Sequence, residues 1–395
     1  MSANGFAGLA AAELESRGAA WTAREIAQQP EVWTAVGELV ARERAGVEAF
    51  LQPLVANPHL RVVLTGAGTS AYIGDCIAPA LSARLRRRVE AIATTDLLSG
   101  PDLRLPAEGP TLLVSFARSG NSPESVAAVE LAESFLDGRV FHLVITCNAD
   151  GALAARAGGL PNSRVLLMPE AAHDRGFAMT SSFSAMLLAG ALVFRLVGDD
   201  APGRLARAAA TLLPEAAALA GRLVARGFER VVYLGSNELR GLASEAALKL
   251  LELTDGRIVA VSDSTLGFRH GPKTILNDRT LVVVLMSNDG YARAYDGDLL
   301  GELEREGRAG GLLALGARPD GIGRADRLII PGMKQASALE LAPLLVLVAQ
   351  SFALLQSLAL GLTPDRPDPA GTVNRVVQGV TIHPWNGAGV HVPRR

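Results

Sequence analysis

Short apolar runs rich in β-branched residues recur along the chain, separated by longer stretches of helical period. Arg61-Val-Val-Leu-Thr-Gly is echoed by Arg230-Val-Val-Tyr-Leu-Gly at an offset of 169. Leu112-Leu-Val-Ser-Phe matches Leu281-Val-Val-Val-Leu, and His142-Leu-Val-Ile-Thr matches Gly311-Leu-Leu-Ala-Leu, both at the same offset. A fourth pair, Arg164-Val-Leu-Leu-Met-Pro and Arg327-Leu-Ile-Ile-Pro, is offset by 163. Four pairs in one order, three sharing one offset, imply two copies of one unit. Runs apolar on both faces belong to parallel strands covered on both sides. The pattern predicts an α/β fold of two mostly parallel, doubly wound, flavodoxin-like sheets flanked by helices. Helices are expected at Ser122 to Phe135, Ser182 to Leu196, Leu239 to Leu253 and Leu339 to Leu360. Residues 1–50 read as helices, and the Pro- and Gly-rich residues 363–395 as an extended tail. The expected division is a helical segment 1–45, a first domain 46–205, a second domain 206–370 and a tail 371–395. The junction between copies falls near Pro202 to Pro214.

One stretch resembles a membrane span: Leu341 to Leu362 carries no charge, and such a length can cross a bilayer. It contains Pro343, Gln350, Ser351, Gln356 and Ser357, so it is expected to be a buried helix, with a subunit interface as one setting. No membrane association is expected. The 40 acids and 38 bases nearly cancel, which argues against nucleic acid as a partner. The first residues carry acids early and lack a basic segment before an apolar core, so they do not read as a signal peptide. Two cysteines, Cys76 and Cys147, form no disulfide framework and suit a reducing cytoplasm. The bases comprise 35 arginines and only three lysines, Lys249, Lys273 and Lys334. Codon bias explains such a split, which makes each retained lysine a candidate for chemistry.

The first strand closes on Gly66-Ala67-Gly68-Thr69-Ser70-Ala71, a G-x-G-x-x-A turn at a helix start. Glu90, 24 residues beyond Gly66, lies near the position of a ribose-binding acid, so a dehydrogenase competes at this point. A Gly turn at a helix N-terminus also offers N–H groups to any phosphate, and Thr69 or Ser70 acting as a mere cap is the plainer reading. The next strand run ends in Ser115-Phe116-Ala117-Arg118-Ser119-Gly120-Asn121-Ser122-Pro123. Ser119 and Ser122 supply hydroxyls, Gly120 permits close approach, and Pro123 suits a first helical turn. Two such loops on strand ends facing one crevice favour a phosphorylated small molecule.

The second copy lacks the Gly-rich loop and carries Glu245-Ala-Ala-Leu-Lys249-Leu-Leu-Glu252. On a helix these three charged residues share one face. Against an apolar helix the stripe is expected to be partly buried, and a partly desolvated carboxylate is raised toward neutrality, as a general base requires. An exposed ion-pair stripe is the alternative. Phe268-Arg269-His270-Gly271-Pro272-Lys273 then presents His270 from a loop, where a capping or core histidine is the alternative.

The paired loops resemble the sugar isomerase (SIS) domain, and the duplication resembles double-SIS ketose/aldose phosphate isomerases. Carried over by position, Ser70, Ser119 and Ser122 hold the sugar phosphate, with Gly68, Thr69, Arg118, Gly120 and Asn121 lining the loops. E-x-A-L-K-x-x-E followed by H-G-P is similar to the isomerase domain of glucosamine-6-phosphate synthase. That resemblance implies that Glu252 moves a proton between C1 and C2, aided by Lys249, and that His270 opens the ring, often from the neighbouring subunit, so a homodimer is implied. No glutaminase domain or early Cys is present, so glutamine-driven amination is not expected. Gln378 falls on the substrate side, where the synthase has an imine-forming lysine, and a Gln forms no imine.

Most of the chain resembles the AgaS-type family, through Thr22 to Pro30, Ser115 to Ser125, His173 to Ser182, Gly267 to Lys273 and Asn374 to Pro384. Its members are labelled tagatose-6-phosphate ketose/aldose isomerase or galactosamine-6-phosphate deaminase/isomerase. The implied reaction turns galactosamine 6-phosphate and water into tagatose 6-phosphate and ammonia. It needs no cofactor and no metal; the six histidines are scattered and show no ligand spacing. His173-Asp174-Arg175 is a candidate polar cluster over the substrate, with a loop salt bridge as the alternative. A plain hexose-6-phosphate isomerase and a non-catalytic phosphosugar sensor compete, although residues 1–50 show no helix-turn-helix.

Overall fold

The computed structural model describes residues 5–105, 109–368, 370–377 and 379–385. Three helices lead in: α1 (Ala11–Ser16), α2 (Ala20–Ala27) and α3 (Gln29–Ala56). The first α/β unit follows as β1 (Arg61–Thr65), α4 (Thr69–Leu85), β2 (Val89–Ala91), α5 (Thr94–Ser99), α6 (Pro101–Arg104), β3 (Thr111–Ala117), α7 (Pro123–Leu136), β4 (Val140–Thr146), α8 (Ala152–Gly158), β5 (Ser163–Leu167) and α9 (Ser181–Val193). The long α10 (Ala201–Ala225) leads to β6 (Arg230–Gly235), α11 (Glu238–Leu253), β7 (Val259–Asp263), β8 (Thr280–Leu285), α12 (Gly290–Glu306), β9 (Gly311–Gly316), β10 (Asp326–Ile329) and α13 (Ala338–Ala359).

Each unit has a five-stranded sheet, ordered β2-β1-β3-β4-β5 in the first and β7-β6-β8-β9-β10 in the second. All pairings are parallel. The duplication extends to register: Arg61 pairs with Thr111 as Arg230 pairs with Thr280, and Thr65 with Ser115 as Leu234 with Val284. It extends to backbone conformation as well. Gly68 caps α4 at φ 55°, ψ −127°, and Asn237 caps α11 at φ 52°, ψ −120°. That region is open to glycine and costly for other residues. The apolar runs located four strands of each sheet. The edge strands β2 and β7 escaped, because β2 is only three residues long and β7 carries Ser262 and Asp263.

Alternate strand residues divide the interior. Val62, Leu64, Leu112 and Val114 of one sheet share a core with Val231, Tyr233, Leu281 and Val283 of the other. Val63 and Leu113 face a separate cluster, and Val232, Leu234, Val282 and Val284 another. The two sheets therefore face one another across a common layer of helices, in which α11 packs on α4 and on α13 and α10 packs on α13. Each fully buried aliphatic side chain there contributes about 1.5–3 kcal/mol.

α13 is the uncharged stretch that resembles a span. By length and composition α10 and α13 could each cross a membrane, but 89% of the apolar window of α13 is buried inside the chain. It is thus a core helix of its own chain. Its Gln350 accepts a hydrogen bond from Gln29 Nε2 at 2.7 Å, which satisfies the polar group inside the core. The divisions expected at 45/46 and 205/206 fall inside α3 and α10, which run through them unbroken.

Candidate active site

β1 and β3 are neighbours, and the chain leaves them toward opposite ends of the sheet. Such a switch point opens a crevice at the carboxyl ends of the strands. Both loops singled out in the sequence, Gly66–Ser70 and Arg118–Ser122, lie there. Neither α4 nor α7 has a side-chain cap, so the first-turn N–H groups of both face the crevice without one. The loops are braced from behind. Asn148 Nδ2 donates to the Ser119 carbonyl at 2.8 Å, and Asn121 Oδ1 accepts from Ala152 N at 2.9 Å. The Ser122 and Ser125 hydroxyls pair at 2.6 Å. Gly120 takes φ 62°, a left-handed turn that suits glycine.

The second unit supplies the charged groups. Gly241 lets α11 approach α4 closely: a Cβ there would lie 2.8 Å from both Asp75 Cβ and Cys76 N. This approach places Lys249 beside the first loop, where its Nζ donates to Thr69 Oγ1 at 2.9 Å. Lys249 also donates to Glu252 and stands 3.6 Å from Glu245. Lys249 and Glu245 are fully buried, whereas the Glu252 side chain keeps 25% exposure and reaches the crevice. Burial alone would lower the Lys249 ammonium, but Glu245 and Glu252 outweigh it and hold it above its ordinary value. Burial pushes the Glu245 carboxyl up to about 8, with Lys249 opposing. Thr69 and Lys249 are the polar groups beside the buried Glu245 oxygens, and both hold the carboxyl below where burial alone would put it. The stripe on the α11 face is therefore largely buried and not a solvated ion-pair ladder.

Loop 173–180 passes over both of these loops. Ser70 Oγ lies 3.9 Å from Met179 Sδ, and the Phe177 carbonyl accepts from Arg118 Nη1 at 3.0 Å. Asp174 is neither a substrate-side cluster member nor half of a salt bridge. Its carboxylate accepts from the backbone N–H of Thr180, Ser181 and Ser182 at 2.7, 3.0 and 2.9 Å, and so closes the N-terminus of α9. Arg175 stacks on Trp21, 4.7 Å from the ring centroid. His173 is half-buried, and burial lowers its pKa, with Arg375 and Arg118 adding to the shift. Sequence reasoning missed Arg375, whose carbonyl accepts from Arg118 Nη2; no local pattern marks a contact between residues so far apart.

His270 is exposed and makes no side-chain hydrogen bond among the described residues. The turn that carries it is fastened to α12: Lys273 binds Glu302 and Glu306, and Arg269 pairs with Glu302 at 2.9 Å. Among the described residues no hydrogen bond or ion pair joins His270 to Lys249 or Glu252. Glu90 pairs with Arg61 at 2.8 Å, so it is taken up at the sheet edge and does not wait for a ribose. Lys334 lines a cavity of about 340 Å³ in the second unit, with Asn288 and Arg318. Volume does not mark the site: a larger cavity of about 740 Å³ lies over α1 and α2, lined by Phe6, Trp21 and Asp365. Gln378 lies outside the described residues. Among the described residues, no three His, Cys, Asp or Glu side chains are grouped as metal ligands would be.

Known proteins share this arrangement. The SIS domain family matches residues 54–196. The chain is 46% identical over 376 residues to the D-galactosamine-6-phosphate deaminase AgaS of Escherichia coli, covering 92% of this chain and 96% of that one. It is 43% identical over 380 residues to the protein of that name in a Shewanella species, covering 95% of each. The crystal structure of tagatose-6-phosphate ketose/aldose isomerase from Escherichia coli superposes with a TM-score of 0.87 at 43% identity, over 93% of this chain and 97% of that one. With both sheets and both loops inside that likeness, the chain belongs to the AgaS family of double SIS-domain proteins.

Proposed function

We propose that this protein converts galactosamine 6-phosphate and water into tagatose 6-phosphate and ammonia. The observation that carries the reading is the contact chain Thr69–Lys249–Glu252, which links a phosphate-suited loop to a crevice-facing acid. The relatives' names supply the aminosugar. In this reading Ser70, Ser119 and Ser122 hold the 6-phosphate, with Gly68, Thr69, Arg118, Gly120 and Asn121 shaping the loops. His270, from the partner subunit of a homodimer, assists ring opening. Glu252 takes the C2 proton of the open-chain aldehyde, giving an enolamine, and returns it to C1, leaving an imine at C2. Water adds to that imine, ammonia leaves, and C2 becomes the ketose carbonyl. Lys249 steers Glu252 and carries positive charge beside the anionic intermediate. The tail after α13 borders the site through Arg375, and Gln378 is assigned to the substrate side. In this scheme the region 46–205 holds the phosphate and the region 206–370 supplies the acid, with the helical segment 1–45 and the tail 371–395 around them, although α3 and α10 run continuously across the first two divisions. Two buried, free cysteines suit a cytoplasmic setting.

The test is release of ammonia and ketose 6-phosphate from galactosamine 6-phosphate, with Glu252→Gln as the control. The variant should lose at least about 100-fold in turnover. Full turnover in the variant would refute the assignment of the acid. A second reading, plain hexose-6-phosphate isomerisation in the same site, is favoured by the name of the superposed isomerase structure. It predicts interconversion of non-amino hexose 6-phosphates without ammonia.

A further inference from the structure

Arg118 is only 6% exposed, yet among the described residues it forms no ion pair at close range. Nη1 donates to the Phe177 carbonyl and Nη2 to the Arg375 carbonyl, both neutral acceptors. Its Nε is buried without a hydrogen-bond partner. Arg375 itself is half-buried. Its Nη2 donates to the carbonyl of Asp174, and its Nε is likewise buried and unpartnered. Burial lowers the Arg118 pKa, and the neighbouring Arg375 lowers it further. The carboxylates that act on Arg118 from farther off are already engaged: Asp174 by the start of α9, Glu252 by Lys249.

A buried guanidinium served only by carbonyls, with a second, half-buried arginine packed against it, is unfavourable. A doubly charged anion resolves both the charge and the unused N–H groups. The next residues of the chain after Arg118 are the hydroxyl-bearing loop Ser119–Ser122 at the uncapped start of α7. Arg375 reaches this place from the far end of the chain, 257 residues beyond Arg118.

We infer that Arg375 completes the phosphate site: Arg118 and Arg375 together take the dianionic phosphate, and the bound phosphate pins the C-terminal tail against the first domain. The inference rests on the phosphate-loop reading above. By linkage, a ligand that binds better when the tail is docked must favour tail docking equally. Arg375 is thus a binding residue that also makes the tail sense the occupied site.

The experiment uses the full chain, with inorganic phosphate as probe and Arg375→Ala, Arg375→Lys and Arg118→Ala as variants. Amide hydrogen exchange of residues 371–385 is followed with and without phosphate. Phosphate should slow exchange there in the unmodified protein, weakly in Arg375→Lys and not at all in the two alanine variants. With galactosamine 6-phosphate, Arg375→Ala should raise KM about 10- to 100-fold, the loss of charge-assisted hydrogen bonds, while kcat changes less than about threefold. Unchanged KM, or equal phosphate protection in Arg375→Ala, overturns the inference, as does a tail indifferent to phosphate in the unmodified protein. Phosphate protection that depends on Arg375, without turnover of the aminosugar, would remove the substrate assignment and leave this inference standing.

Discussion

Lys249 donates a hydrogen bond to the Thr69 hydroxyl at 2.9 Å, across 180 residues of sequence. The contact joins the first helix of one α/β unit to the first helix of the other. It exists because the two sheets share one helical layer, so equivalent helices meet at the centre of the molecule. Neither unit alone would hold both a phosphate-suited loop and the acid paired with Lys249.

The meeting of α4 and α11 depends on Gly241. Gly241→Ala places a Cβ 2.8 Å from atoms of Asp75 and Cys76, so the helices must part. The expected cost is about 1–3 kcal/mol of stability, with kcat down about 10- to 100-fold because Lys249 shifts relative to Thr69. Urea denaturation and steady-state kinetics measure both. Unaltered kcat would mean that the close approach does not set the site.

Glu245 makes stability depend on pH. Its carboxyl titrates at about 8 in the folded chain against an ordinary 4.5. Between those values the native protein keeps a proton that the unfolded chain has released. Stability is therefore greatest below about 4.5 and declines as pH rises through about 8. Glu25, also pushed up to about 8 by burial and by Asp174, adds a slope of the same sign. Urea midpoints at about pH 5.5 and 8.5 should differ less in Glu245→Gln than in the unmodified protein. Equal differences would show that Glu245 does not carry this proton.

Asp174 should behave as a structural residue. Its carboxylate accepts from three backbone N–H groups at the start of α9 and binds the hydroxyls of Thr180 and Ser182. Asp174→Ala leaves those donors buried and unpaired, an expected loss of about 3 kcal/mol or more. Asp174→Asn retains part of the acceptor set and should lose less. Chemical denaturation separates the two; equal stability of all three proteins would contradict the capping role.

His270 is assigned to the partner's site, and mixing tests this directly. Chains carrying Glu252→Gln and chains carrying His270→Ala should each be nearly inactive. Unfolded together and refolded, they should regain activity, because each mixed dimer has one site with both native residues. No recovery from a mixture shown to contain mixed dimers would place His270 elsewhere.

The sequence by itself determined most of the elements, their duplication and the residue types of the candidate site. The offset of 169 predicted two like sheets, and the structure repeats even the residue pairs of the strands. The helix expected at Leu239 to Leu253 is α11, Glu238–Leu253. Both strand-end loops and the acid–lysine face of α11 were legible because strand period, turn residues and helical spacing are local properties. Only the tertiary structure decided which of these groups meet. The Gly241 approach, the Lys249–Thr69 bond, the Asp174 cap and the Arg118–Arg375 contact join residues by packing of the shared helical layer and its surrounding loops. Spacing along the chain carries no record of such meetings, because burial of a common apolar layer sets them and not the local backbone.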